Sequence, residues 1–156
     1  MEFEGGAAVA AGLIGGAVMA LLLYTGIAMM AAQMKMNLFR LLGTMLLEEG
    51  TAAYVLGGMV HAMMSVLFGL VHVALYIALD LESNLAAWGL LFGVGHWMIV
   101  GMALGMMPMM HRGIRSGSID APGFYALGYP RMTAMGFLML HLVYGVLVGA
   151  LYAAFT

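Results

Sequence analysis

Residues 7–32 read AAVAAGLIGGAVMALLLYTGIAMMAA, an unbroken apolar run without one charged side chain. A helix needs roughly 20 mostly apolar residues to cross the hydrocarbon core of a bilayer, so this run predicts a membrane-spanning helix. Three further runs of that kind follow, at 52–79, 85–110 and 131–155. Four such helices nearly fill a chain of 156 residues. The fold expected is all-α: a polytopic membrane protein whose four transmembrane helices form one bundle, a single domain over 1–156. Composition agrees. The chain is 65% hydrophobic and 8% charged, where a soluble domain carries about a quarter charged residues. These figures exclude a soluble globular domain, a disordered chain and a nucleic-acid-binding protein. With no Cys there is no disulfide, no thiolate metal ligand and no Cys nucleophile.

The first run is read as a span rather than a cleaved signal peptide. It is preceded by Glu2 and Glu4 instead of Lys or Arg, and it is too long. The connections divide by charge. Lys35 and Arg40 lie between spans one and two, and Arg112, Arg115 and Arg131 lie between or at the edges of spans three and four. Glu2, Glu4, Asp80 and Glu82 occupy the opposite side. The positive-inside rule then places both basic connections in the cytoplasm and both termini outside a cell (plasma) membrane. Segment 36–47, MNLFRLLGTMLL, is apolar but too short to span. It predicts an interfacial helix with Asn37 as N-cap and Arg40 at the headgroups. The connection 111–130 is rich in Gly and Pro and reads as a cytoplasmic linker in preference to a lid.

Small residues recur at every fourth position or a multiple of it, hence on one face of each helix. They are Ala8, Gly12, Gly16 and Ala20; Gly57, Ser65 and Gly69; Gly89, Gly93, Gly101 and Gly105; and Gly145, Gly149 and Ala153. Such stripes let helix backbones approach closely in lipid. They predict a tightly packed bundle, with the bilayer and a homo-oligomer or a membrane protein complex as its partners.

Four of the five His lie inside spans, where an ionisable residue marks a functional site. One face of span two reads Gly57, His61, Ser65, Gly69, His72, Tyr76, polar or small throughout, and should point into the bundle. On span four, His141 heads the stripe Gly145, Gly149, Ala153. Counting about 1.5 Å per residue puts His61, His96 and His141 in one layer on three helices, with His72 a turn or two further out. Neutral imidazoles at one depth suit a transition metal or the two axial bonds of a haem, or a proton relay. The simpler alternative is one interhelical hydrogen bond per His. No HExxH motif and no Glu inside a span support hydrolytic zinc chemistry.

Of the 19 Met, all but Met1 and Met19 fall in the cytoplasmic half. Thioethers suit Cu(I), and Met106 and Met110, near Pro108 and His111, are the densest part of such a path. The alternatives are an adaptable apolar surface or filling of gaps left by Gly; both are preferred to copper.

Four motifs, GLIGGAVMALLL (12–23), GGMVHAMMSVLFGLVH (57–72), GLLFGVGHWMIVGMALGMMP (89–108) and LHLVYGVLVGALY (140–152), run through the four spans, and GFYALG (123–128) precedes the last. Together they resemble a family of small bacterial and archaeal four-helix membrane proteins of unknown function, loosely similar to the YagU-like group. The resemblance covers almost the whole chain and rests on His61, Trp97, Pro108 and His141. It implies the fold and a shared His61 and His141 pair, and it brings no activity. His72 and His96 are outside the family's pattern.

Three readings follow. The first is a membrane protein without catalytic machinery, an accessory subunit of a larger membrane complex. The second is an intramembrane cofactor site for copper or haem b on His61, His96, His141 and His72, with Met106 and Met110 as further metal ligands. The third is a small-solute or ion transporter, for which the chain has no inverted repeat.

Overall fold

The computed structural model describes residues 2–156; Met1, expected at the outer terminus, lies outside the described residues. The chain is all-helical: α1 (Gly5–Met29), α2 (Leu38–Gly43), α3 (Thr51–Ala78), α4 (Leu85–Met110), α5 (Arg112–Arg115), a 3-10 turn (Phe124–Ala126) and α6 (Arg131–Phe155). There is no strand among the described residues. Helices α1, α3, α4 and α6 are the four expected spans, each long and apolar enough to cross a membrane. At 25 to 28 residues and about 1.5 Å per residue, each exceeds a hydrocarbon core of about 30 Å.

Contacts group the chain into two units: Met1–Leu22, Ala62–His96 and Leu138–Thr156 in the first; Leu23–His61 and Trp97–Phe137 in the second. The basic residues gather in one unit, where Glu48, Glu49 and Asp120 join them. All five Lys and Arg belong to the second unit, whereas Glu2, Glu4, Asp80 and Glu82 belong to the first.

In the first unit the small-residue stripes are points of backbone contact. Gly12 of α1 and Gly69 of α3 face each other; a Cβ on Gly12 would lie 2.6 Å from the Ser65 carbonyl oxygen. Gly89 of α4 and Gly145 of α6 meet still more closely, and a Cβ on either would run into the other's carbonyl. Gly93 abuts the His141 backbone and Gly149 the Leu85 carbonyl. Without a hydrophobic effect between helices in lipid, this close approach supplies van der Waals attraction.

In the second unit, α1 ends at Met29, three residues before the end of the apolar run. The reason is Met34. The chain turns at 30–33 and returns the Met34 side chain between Gly26 and Gly136, where a Cβ on either would stand 3.0 Å from its methyl carbon. Staying helical would point Met34 elsewhere. Helix α2 is shorter than the expected 36–47. Asn37 caps it as expected, its side-chain oxygen accepting from Arg40 N at 3.1 Å. It stops at Gly43, where a Cβ would overlap the Ala53 carbonyl.

The 111–130 connection is packed, contrary to a linker. Ile114, Ile119 and Ala126 are buried with Met36, Leu41, Leu104, Met107 and Phe137 in one apolar cluster. Tyr125 and Ala126 adopt left-handed backbone (φ 55° and 61°), a strained choice for side-chain-bearing residues. That turn drives the Phe124 and Tyr125 rings against α4 at Gly105 and Gly101, where a Cβ would occupy the ring positions. Tyr125 also packs on Trp97, ring centroids 4.7 Å apart. Two of the four glycines in the span-three stripe, Gly101 and Gly105, therefore receive a loop rather than a helix.

Candidate functional site

The expected inward face of span two is inward: Ser65, Gly69, His72 and Tyr76 are buried in the first unit and Gly57 in the second, while His61 is half-buried. In the first unit, three buried imidazoles from three helices adjoin. His72 (α3) lies 5.9 Å from His96 (α4), and His96 lies 4.7 Å from His141 (α6), between ring centroids. The planes are near perpendicular, at 71° and 79°. Tyr144 completes the group, 5.7 Å from His72 and 5.2 Å from His96, and its hydroxyl donates to the Ser65 carbonyl. Phe68 stacks on His96 at 3.6 Å, and Phe92 stands 6.1 Å from His72.

His72 has a defined tautomer. Its Nδ1 is 2.8 Å from the Phe68 carbonyl oxygen, one helical turn back. A carbonyl only accepts, so Nδ1 carries the proton. Nε2 is then a bare lone pair, buried and without a hydrogen-bond partner. The Tyr76 hydroxyl, one turn further along α3, is likewise buried and unpartnered. Tyr76 leads outward to Tyr152, 6.5 Å away. The Tyr152 hydroxyl donates to the Glu2 carbonyl and accepts from Glu4 N, each at 3.1 Å.

The expected layer of His61, His96 and His141 therefore divides. His96 and His141 fall in the first unit together with His72, whereas His61 belongs to the second, where its ring packs on Phe39 at 5.9 Å. His61 and His72 share one face of α3 but stand 11 residues, or about 16 Å, apart along it; it is position along the axis that brings His72 level with His96. Met106 and Met110 are 49% and 65% exposed, pointing off the outer surface of α4 rather than toward an imidazole cluster. Among the described residues no group of three or more His, Asp or Glu is placed to hold a metal ion.

The fifth histidine, His111, expected beside Met106, Met110 and Pro108 on a soft-metal path, lies beyond the span and serves instead as a cap. It is completely buried in the second unit. Nδ1 accepts from Ile114 N at 3.3 Å, capping α5, so Nε2 carries the proton and donates to the Leu41 carbonyl at 3.1 Å, with Thr44 Oγ1 at 3.2 Å. One neutral imidazole thus ties the end of α4 and the start of α5 to α2. No local pattern marked this role, since His is an uncommon N-cap. Beside it, Arg40 grips Glu49 with two hydrogen bonds of 2.7 and 2.8 Å. This bond holds the Arg40 guanidinium above, and the Glu49 carboxyl below, their ordinary ranges. Burial, and then Asp120 nearby, push the Tyr129 phenol up.

The geometry is that of a multi-pass membrane protein with an internal histidine and tyrosine cluster. Comparison of the chain with protein-family models, with curated proteins and with solved structures returned no match in any of the three.

Proposed function

We propose that this protein is an accessory subunit without catalytic machinery, which packs against a larger membrane protein complex through its methionine face. The observation that carries this reading is where the thioethers point. Met98, Met102, Met106, Met109 and Met110 of α4 are between 48% and 70% exposed, and Met132 and Met135 of α6 are exposed as well. In that unit Met34, Met36 and Met107 are the buried ones, so gap filling accounts for few of them. Unbranched thioether side chains repack against irregular partner surfaces, and lipid alone sets no demand for Met over Leu. The separation of Lys and Arg from Glu2, Glu4, Asp80 and Glu82 supports basic connections in the cytoplasm and termini outside a plasma membrane.

The test is purification of the native protein in mild detergent, with photo-crosslinking side chains at positions 98, 102 and 106. The expected result is a co-purifying membrane protein crosslinked at these positions. A chain that runs alone, with crosslinks to lipid only, would remove the support.

A second reading, an intramembrane site for copper or haem b, would draw on no more than two of the adjacent imidazoles of His72, His96 and His141, since the three are not placed to hold one metal ion. His61, Met106 and Met110 do not belong to that cluster. Metal analysis and a visible spectrum of the native preparation decide it; a colourless, metal-free and fully stable protein excludes it.

A further inference from the structure

We propose that His72 is an intramembrane proton-binding site, reached from the Glu2 and Glu4 end of the molecule through Tyr152 and Tyr76. The first observation is the bare lone pair at Nε2. His72 is 2% exposed, its Nδ1–H is committed to the Phe68 carbonyl, and Nε2 has no partner. An unsatisfied polar atom inside a membrane bundle is costly, and a core serving packing alone would hold Leu or Phe here. The second is the ladder of protonatable groups on one side of it. The Tyr152 hydroxyl bonds the Glu2 and Glu4 backbone, the Tyr76 ring follows at 6.5 Å between centroids, and Tyr76 is one helical turn along α3 from His72, its hydroxyl bonded to neither. The third is the mouth. A groove of about 430 Å³ opens between Glu4, Ala7, Ala10 and the last two residues, Phe155 and Thr156, beside the Glu4 amide that donates to the Tyr152 hydroxyl.

The chemistry balances simply. A hydronium at the mouth gives up its proton and becomes water, and the proton ends on Nε2; since the Tyr76 hydroxyl is bonded to neither Tyr152 nor Nε2, its passage requires the Tyr76 side chain to swing between them. The imidazole becomes an imidazolium and keeps its Nδ1–H bond to Phe68. Charge on the ring strengthens that bond, and the surrounding aromatic rings, Tyr144 at 5.7 Å and Phe92 at 6.1 Å, offer cation–π contact. The titratable groups around His72 are Tyr76 on its own helix, His96 on α4, and Tyr144 and, beyond His96, His141 on α6. The α1 part of this unit has none, and no carboxylate lies within its helices. With like charges repelling at this spacing, the cluster takes one proton, not three.

The experiment uses the full chain, with ¹⁵N-labelled histidine, in phosphatidylcholine nanodiscs, taken from about pH 8 to about pH 4, the range that brackets imidazole titration. The expected result is one imidazole in the Nδ1–H form with a non-bonded Nε2 that converts reversibly to imidazolium, at unchanged helix content. His72→Gln should lose that signal and one proton of uptake per chain. If His72→Gln does not fold, His61→Gln and His141→Gln carry the assignment, since the signal must survive in both. Tyr76→Phe should slow loading after a pH jump. A His72 ring that stays neutral throughout, or protonates only as the helices melt, overturns the site. An unchanged loading rate in Tyr76→Phe overturns the route.

Discussion

Gly89 and Gly145 face each other across α4 and α6 so closely that each occupies the space a Cβ on the other would need. A methyl group there forces the helices apart over their whole contact, whereas Gly95, on the same α4, has nothing within 4 Å of its Cβ position. Gly145→Ala should lower stability by about 1–3 kcal/mol, the usual cost of overpacking. Gly95→Ala should stay within about 0.5 kcal/mol of wild type. Reversible unfolding in mixed detergent micelles measures both.

His96 and His141 are in ring contact, so their contributions should not add. A double-mutant cycle with Phe at each position is expected to give a coupling energy of about 0.5–3 kcal/mol, as for other contacting residues. A sum of singles equal to the double would mean that the two rings act as separate fillers.

His111 serves two partners at once, the Ile114 amide and the Leu41 carbonyl. His111→Ala leaves both buried groups without it and should cost about 1–3 kcal/mol. His111→Asn keeps a side chain able to cap α5 but too short for Leu41, and should fall between. Hydrogen exchange at the Ile114 amide separates the two effects: fast in Ala, slow in Asn.

The Arg40–Glu49 pair sets a pH dependence whose sign is fixed. The Glu49 carboxyl is held below the ordinary glutamate range by Arg40, so the folded state favours the ionised form. Its contribution is present at neutral pH and fades as pH falls through the folded-state value. The effect on stability is small because Glu49 is solvent-exposed. NMR titration of the Glu49 side chain should show a midpoint below the usual value, returning to it in Arg40→Ala.

Gly101 and Gly105 form the floor on which Tyr125 and Phe124 rest. Gly105→Ala should lift the 3-10 turn from α4 and expose the following loop. Limited proteolysis is expected to cut near 116–130 in the variant and not in wild type, with helix content unchanged.

The spans, their order, the Asn37 cap and the separation of charges were legible in the amino-acid sequence, because each depends on neighbours a few residues away or on a simple count of apolar length. The small-residue stripes announced helix contact for the same reason: their spacing is a property of one helix. Other features depend on rotation about helix axes and on chain reversals, which no single-helix pattern encodes. A count of residues suggested His61 as the companion of His96 and His141, but the axial offset of α3 against α4 sets His72, about 16 Å further along the same face, level with His96 and leaves His61 beside Phe39. The Met residues looked like filler by composition, yet α4 carries most of its own outward. The connection 111–130 looked like a linker by its Gly and Pro content; the left-handed turn at Tyr125 and Ala126 makes it a lid of side chains seated on α4. Local chemistry determined which residues are helical and apolar. Only the packing of one helix against another decided which buried polar atoms, His72 Nε2 and the Tyr76 hydroxyl among them, were left facing an apolar interior with no hydrogen bond.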